Sequence, residues 1–175
     1  MNPSISAIAV GRLVPIKNFD VVLNAWVDIP IPLQIVGDGP LSKVLAQHAD
    51  RLDLLDRVKF LGERSDVPEL MADSSFLISA SSREGFSYVV LEALRSRLVV
   101  VSTATGIATD LVPQKYLISE PSAIQIASVV TASLASFDQA RTDFATAWEA
   151  SEKLTVQQMI QETENVYAKT IGESG

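Results

Sequence analysis

The stretch LVVVST, residues 98–103, constrains the fold most. Four apolar residues stand in a row, three of them β-branched, so a strand here has no face to give to water. A strand buried on both sides belongs inside a parallel sheet with helices above and below it. Similar runs fall at 5–10, 33–37, 58–62 and 76–81, with a weaker one at 116–119. Segments with helical patterning lie between them, at 18–27, 40–52, 66–74 and 87–97. Asn18 reads as the cap of the first, and Pro40 suits the first turn of the second. Strands alternating with helices predict an α/β fold, a doubly wound, Rossmann-like parallel sheet of about six strands joined by right-handed crossovers. In such sheets ligands bind beyond the carboxyl ends of the strands.

After residue 121 the strand signal stops. Residues 122–135, 137–154 and 155–171 read as three helical regions. The expected organisation is one domain over 1–175, with an α/β core at 5–121 and C-terminal helices at 122–171. Of the 175 residues, 47% are hydrophobic and 20% charged, which suits a folded domain with a real core. The net charge of -7 argues against a broad nucleic-acid or anionic-membrane surface, so any anion site must be local. No cysteine is present, which removes disulfides, thiolate metal sites and a cysteine nucleophile, and fits a cytoplasmic protein. His48, the single histidine, cannot build a histidine metal cluster or a serine triad, and its polar neighbours predict a surface position. Trp26 and Trp148 read as packing residues. No apolar run is long enough to span a bilayer. The chain begins almost directly on a strand-like run, as though something preceded it.

Four loops carry residues suited to chemistry. In AVGRLVPIKNF (9–19) a strand ends near Gly11, and Arg12 and Lys17 follow. Two cations at a strand's carboxyl end, near a helix N-terminus, make a local anion site; the plain alternative is two solvated loop charges. In IVGDGPL (35–41), Gly37 and Gly39 allow either a tight turn or a close approach to a ligand. A dinucleotide fingerprint is not met, because Ser42 stands where the third glycine would be. VKFLGERSD (58–66) ends in a polar loop with Arg64, while Ser65 or Asp66 suits a helix cap. In SSREGFSYVVLEAL (81–94), Glu84 lies in a loop, Gly85 allows close backbone approach, and Ser87 suits the cap of the next helix. The first free amides of that helix, near Tyr88 and Val89, can receive phosphate oxygens. Glu92 sits inside VVLEAL, where a solvated face is not expected. Carboxylates accept from hydroxyls, so Glu84 and Glu92 could each hold a diol, and amides between them a phosphate. The plain alternative is two solvated charges. Gly106, in TATGIATDLV (103–112), suits either a close approach at the same rim or a simple turn.

These four motifs stand in an order and spacing that resemble the C-terminal, donor-binding half of retaining glycosyltransferases of the GT-B fold, group 1 or family 4. The likeness spans about residues 5 to 171. It implies binding of a nucleotide-sugar, a UDP-, GDP- or ADP-sugar, with no metal or other cofactor. Arg12 and Lys17 match the family's diphosphate-binding cations, with Gly11 beside them. Glu84 and Glu92 match the two glutamates of its E-x7-E motif, the first for sugar hydroxyls and the second for ribose. Gly85, Phe86, Ser87, Tyr88 and Val89 match the turn that contacts sugar and phosphate. Arg64 matches the loop flanking the base, and Gly37 the glycine turn beside the site.

The resemblance has departures. Ser87 and Tyr88 stand where the family often has a glycine, and Arg97-Leu98-Val99-Val100-Val101 where it often reads G-L-P-V-V. Complete enzymes of this kind are about twice as long, so an acceptor-binding domain is expected to precede residue 1 across a cleft, and the 155–171 helix to cross back onto it. The implied activity is sugar transfer with retention, in polysaccharide, lipopolysaccharide or glycolipid synthesis. The chain alone is expected to bind donor weakly and not to turn over. The full-length enzyme is expected in the cytoplasm, where family habit would place it at the inner membrane face. Two alternatives stand beside this: a non-catalytic doubly wound interaction domain, and half of a nicotinamide-dependent oxidoreductase.

Overall fold

A computed structural model describes residues 5–154. Six parallel strands form one sheet: β1 (Ala7–Val10), β2 (Leu33–Val36), β3 (Val58–Gly62), β4 (Phe76–Ser79), β5 (Val99–Thr103) and β6 (Leu117–Ile118). Their order is β3-β2-β1-β4-β5-β6. All five residues of β5 are buried, which is the consequence of its continuous apolar run lying between two neighbours and two helical layers.

Helices α1 (Phe19–Trp26), α2 (Ser42–Arg51), α3 (Val67–Ala72) and α4 (Tyr88–Arg95) follow the first four strands in turn. α2 starts later than expected, because Pro40 and Leu41 form a turn ahead of it and Leu41 takes the capping position. A short helix, α5 (Ala108–Leu111), follows β5 where only a turn or close approach was expected. The chain then continues through β6 into α6 (Ala123–Ala135). The region 137–154 is two helices, α7 (Phe137–Asp143) and α8 (Ala145–Lys153), joined at Phe144. Phe144 is fully buried and packs against both Tyr116 and Trp148, so the joint is held by the core.

The C-terminal helices belong to the same apolar core as the sheet. α6 lies against α1, and its N-cap Ser122 accepts a hydrogen bond from the Gln125 amide. α8 lies against α4, where Trp148 Nε1 donates to the Leu98 carbonyl at 2.9 Å. Trp26 is fully buried and donates to the Ile31 carbonyl, so both tryptophans are packing residues as expected. His48 is partly exposed and meets Asn24 Oδ1 at 2.9 Å. The third expected helical region, 155–171, lies outside the described residues.

Candidate functional site

The sheet changes direction at its centre. From β1 the chain steps outward to β2 and β3, then returns to lay β4 on the other side of β1 and steps outward again to β5 and β6. The strand order therefore reverses between β1 and β4, the switch point at which a crevice forms beyond the strand ends. Pairing deepens it. β1 pairs with β2 up to Val10–Val36, but with β4 only up to Ile8–Leu77. The central strands have already parted before β1 ends.

Two loops reach across that opening. The β1 loop carries Arg12, a short 3-10 turn at Pro15–Lys17, and Asn18. The β4 loop carries Ser82, Glu84, Gly85 and Phe86 into Ser87, the N-cap of α4. Lys17 Nζ forms an ion pair with Glu84 Oε1, and both side chains are mostly buried. The Ser82 amide donates to the Ile16 carbonyl at 2.9 Å. Asn18 donates to the Ala80 carbonyl at 2.8 Å and to Ser82 Oγ at 2.6 Å. Asn18 does occupy the N-cap position of α1, but its side chain makes no capping bond there and is spent on the opposite loop. Its backbone is left-handed, with φ 50, a conformation asparagine adopts more readily than most residues.

Glycines set the walls. Gly37 has φ 132, and a Cβ there would stand 2.0 Å from the Gly11 carbonyl oxygen. A Cβ on Gly39 would stand 2.6 Å from the Leu13 carbonyl oxygen. The β2 loop is thus pressed against the back of the β1 loop. In this arrangement Gly37 acts as a close-packing turn, the plainer of its two readings, and supports Gly11 from behind. Asp38 locks the turn: its carboxylate accepts from the Ser42 hydroxyl and the Gly39 amide, which hold it below the usual carboxylate range. On the other side, a Cβ on Gly106 would come within 3.1 Å of the Ser87 nitrogen. Thr103 Oγ1 donates to the buried Ser81 carbonyl at 2.7 Å. The β5 loop therefore backs the Glu84–Ser87 turn.

The amides of Tyr88 and Val89 have no intrahelical acceptor, because they begin α4. They add partial positive charge at the crevice. Glu84 already matches Lys17, so the positive features left include this helix N-terminus and Arg12, which is exposed. Nothing within 4 Å would meet a Cβ on Gly85, so this stretch of backbone faces open space.

Glu92 departs from expectation. It is exposed, on the same side of α4 as Tyr88 and Arg95, while Val90, Leu91, Ala93 and Leu94 are buried. The apolar neighbours in VVLEAL mark the buried stripe, and Glu92 lies between its rows. It stands one turn along from Tyr88, on the face continuous with the helix N-terminus. Tyr88 is 63% exposed and meets Phe86 edge-on at 5.0 Å. Arg64 is on the loop after the edge strand β3, two strands from the crevice, and is bound by Asp66 through contacts of 2.8 and 2.6 Å. Asp66 takes the N-cap position of α3 without a capping bond, because its carboxylate is spent on Arg64. The structure thus brings together Gly11, Lys17, Glu84 and the Gly85–Val89 turn, with Arg12 exposed on the same β1 loop. It sets Glu92 a turn away and Arg64 on the neighbouring rim.

The family model of glycosyl transferases group 1 matches residues 3–146. The chain belongs to this family. Its relatives include the D-inositol 3-phosphate glycosyltransferase of Mycobacterium marinum, 34% identical over 55% of this chain and 22% of that protein. Another is N-acetyl-alpha-D-glucosaminyl L-malate synthase of Bacillus anthracis, 35% identical over 45% of this chain and 21% of that one. Among solved structures, Anabaena HepE in complex with UDP superposes with a TM-score of 0.84 at 25% identity, over 95% of this chain and 49% of HepE. HepE has also been solved with UDP-glucose. The C-terminal domain of the group 1 family protein LpcC from Francisella tularensis matches over 88% of both chains, with a TM-score of 0.78. This chain therefore spans about half of HepE and most of a family domain solved by itself.

Proposed function

We propose that this chain is the donor-binding half of a GT-B glycosyltransferase that moves a sugar from a nucleotide diphosphate sugar to an acceptor with retention. One observation carries the proposal: Lys17 and Glu84 meet at the topological switch point, directly beside the free N-terminus of α4. A cation, a hydroxyl-accepting carboxylate and a row of amides are the groups a sugar diphosphate requires. The likeness to HepE, which binds UDP and UDP-glucose, supports it.

The roles follow from charge. When the glycosidic bond to the diphosphate breaks, negative charge grows on the departing phosphate. Lys17 and Arg12, with the amides of Ser87 to Val89, stabilise that charge more strongly as it develops. Glu84 takes sugar hydroxyls once the diphosphate has claimed Lys17. Gly85 and Phe86 line the sugar's approach, and Glu92, a turn along α4, takes the ribose hydroxyls. Arg64 flanks the base. Acceptor binding belongs to a further domain across the cleft, so the chain alone binds donor without turnover. Polysaccharide, lipopolysaccharide or glycolipid assembly is the setting this family membership favours.

The test is a thermal-shift panel on the chain with UDP, GDP, ADP and NADH. One of the three diphosphates raises the melting temperature, and Lys17→Met removes that rise. A shift with NADH alone would favour an oxidoreductase half. No shift with any diphosphate at millimolar concentration would overturn the proposal.

A further inference from the structure

The parting of β1 from β4 creates a mechanical problem at the site. Above Ile8–Leu77 no ladder bond joins the two strands, yet Lys17 and Glu84 are carried by loops on opposite sides of that gap. Something else must hold their spacing. Where the strands separate, the end of β1, Lys17, the first turns of α1 and the stretch Ile78–Ser81 line a small void of about 10 Å³, about the size of one water molecule. Packing is therefore incomplete where the strands separate.

We propose that Asn18 is the positioning residue that closes this gap and sets the distance between the Lys17 cation and the Glu84 carboxylate. Its two N–H groups face three acceptors, the Ala80 carbonyl at 2.8 Å, Ser82 Oγ at 2.6 Å and the Ile16 carbonyl at 3.2 Å. Two of these lie on the β4 loop and one on its own loop, so one side chain spans the crevice. The carbonyl partners require the nitrogen end of the amide to point across. The left-handed backbone of Asn18 aims the side chain at the β4 loop as the chain turns from the 3-10 turn into α1. The Ser82 amide, donating back to Ile16, completes a clasp of three cross-loop hydrogen bonds. Asn18 is adjacent to Lys17, and Ser82 is two residues before Glu84, so the clasp fixes both bases of the ion pair.

The consequence for donor recognition rests on the function proposed above. A free nucleoside diphosphate needs the cations and helix amides, whereas a nucleotide-sugar also needs Glu84 at a set distance from them. Loosening the clasp therefore penalises the sugar-bearing ligand more than the bare diphosphate.

The decisive variant is Asn18→Gly, which tolerates the left-handed backbone and removes only the side chain. Asn18→Asp is its partner, keeping a residue suited to that backbone while losing both donors. Amide hydrogen exchange on the 175-residue chain reads the clasp directly. The expected result is lost protection at Ser82 with unchanged protection at the β1 and β4 ladder amides. Calorimetry with UDP and UDP-glucose reads the consequence: UDP-glucose affinity falls about ten- to a hundredfold, the scale of a misplaced site group, and UDP affinity falls much less. Unchanged protection at Ser82 in both variants would overturn the proposal, as would equal losses for the two ligands. A wild-type chain that binds neither ligand refutes the donor function instead, and the exchange result still decides the clasp.

Discussion

Replacing Gly37 by alanine tests whether the loops of this site are built by backbone packing. The new Cβ would stand 2.0 Å from the Gly11 carbonyl oxygen and 2.9 Å from its carbonyl carbon. Both are backbone atoms of a loop held by hydrogen bonds from Gly11 to Val36 and from Leu13 to Asp38, so neither can rotate away. Overpacking of this kind costs about 1–3 kcal/mol. The φ of 132 adds about 1–3 kcal/mol for a residue with a Cβ. The sum, about 2–6 kcal/mol, corresponds to roughly 4–24 °C in melting temperature for a chain of this size. Gly85→Ala is the control, since open space surrounds that position; its change should stay within about 0.5 kcal/mol. Urea denaturation at constant m-value measures both. A Gly37→Ala variant within about 1 kcal/mol of the parent would refute the packing account, because neither overlap nor backbone strain would then be real.

Other expectations follow from the same contacts. Trp148→Phe leaves the Leu98 carbonyl without its donor in a buried place and should lower stability by about 1–3 kcal/mol by urea denaturation. Glu84→Gln breaks the ion pair with Lys17 at a modest cost of about 1 kcal/mol, and frees the cation, so calorimetry should show UDP binding retained while binding of a UDP-sugar weakens. Acid stability has a local source at Asp143, where Lys115, Tyr116 and Gln139 donate to one carboxylate and hold its pKa at about 2 instead of 3.8. A depressed pKa stabilises the fold above the unfolded value and loses that contribution as pH falls from 3.8 toward about 2. The stability gap between the parent and Asp143→Asn, measured by denaturation at several pH values, should therefore be widest above the unfolded value of 3.8 and shrink across that window.

The four inner strands, β1, β2, β4 and β5, were legible because they are largely buried on both faces, and consecutive apolar residues report that directly. β6 was the weakest signal and is also the shortest strand, two residues at the sheet edge. The helix break at Phe144 was not legible, because Phe144 keeps the apolar spacing while its ring turns into the core between Tyr116 and Trp148. At the site, the cations and carboxylates were visible as residue types at strand ends. Their pairing was not, since it depends on how far β1 and β4 separate. Asn18 looked like a helix cap because sequence shows the residue type and not the direction of its amide; an asparagine beside a short Pro-led turn was the available signal. Glu92 looked buried because its neighbours are, yet a helix face only about 100° wide lets one charged residue escape between apolar rows.

Binding of a nucleotide diphosphate at the β1–β4 switch point can be read residue by residue from amide chemical shifts during a UDP titration. The largest shifts are expected on Gly11 to Asn18 and Glu84 to Val89, with amides at the opposite end of the sheet, such as Leu33, Val58 and Phe76, unmoved. Shifts clustered at those amino ends, or none at millimolar UDP, would contradict it.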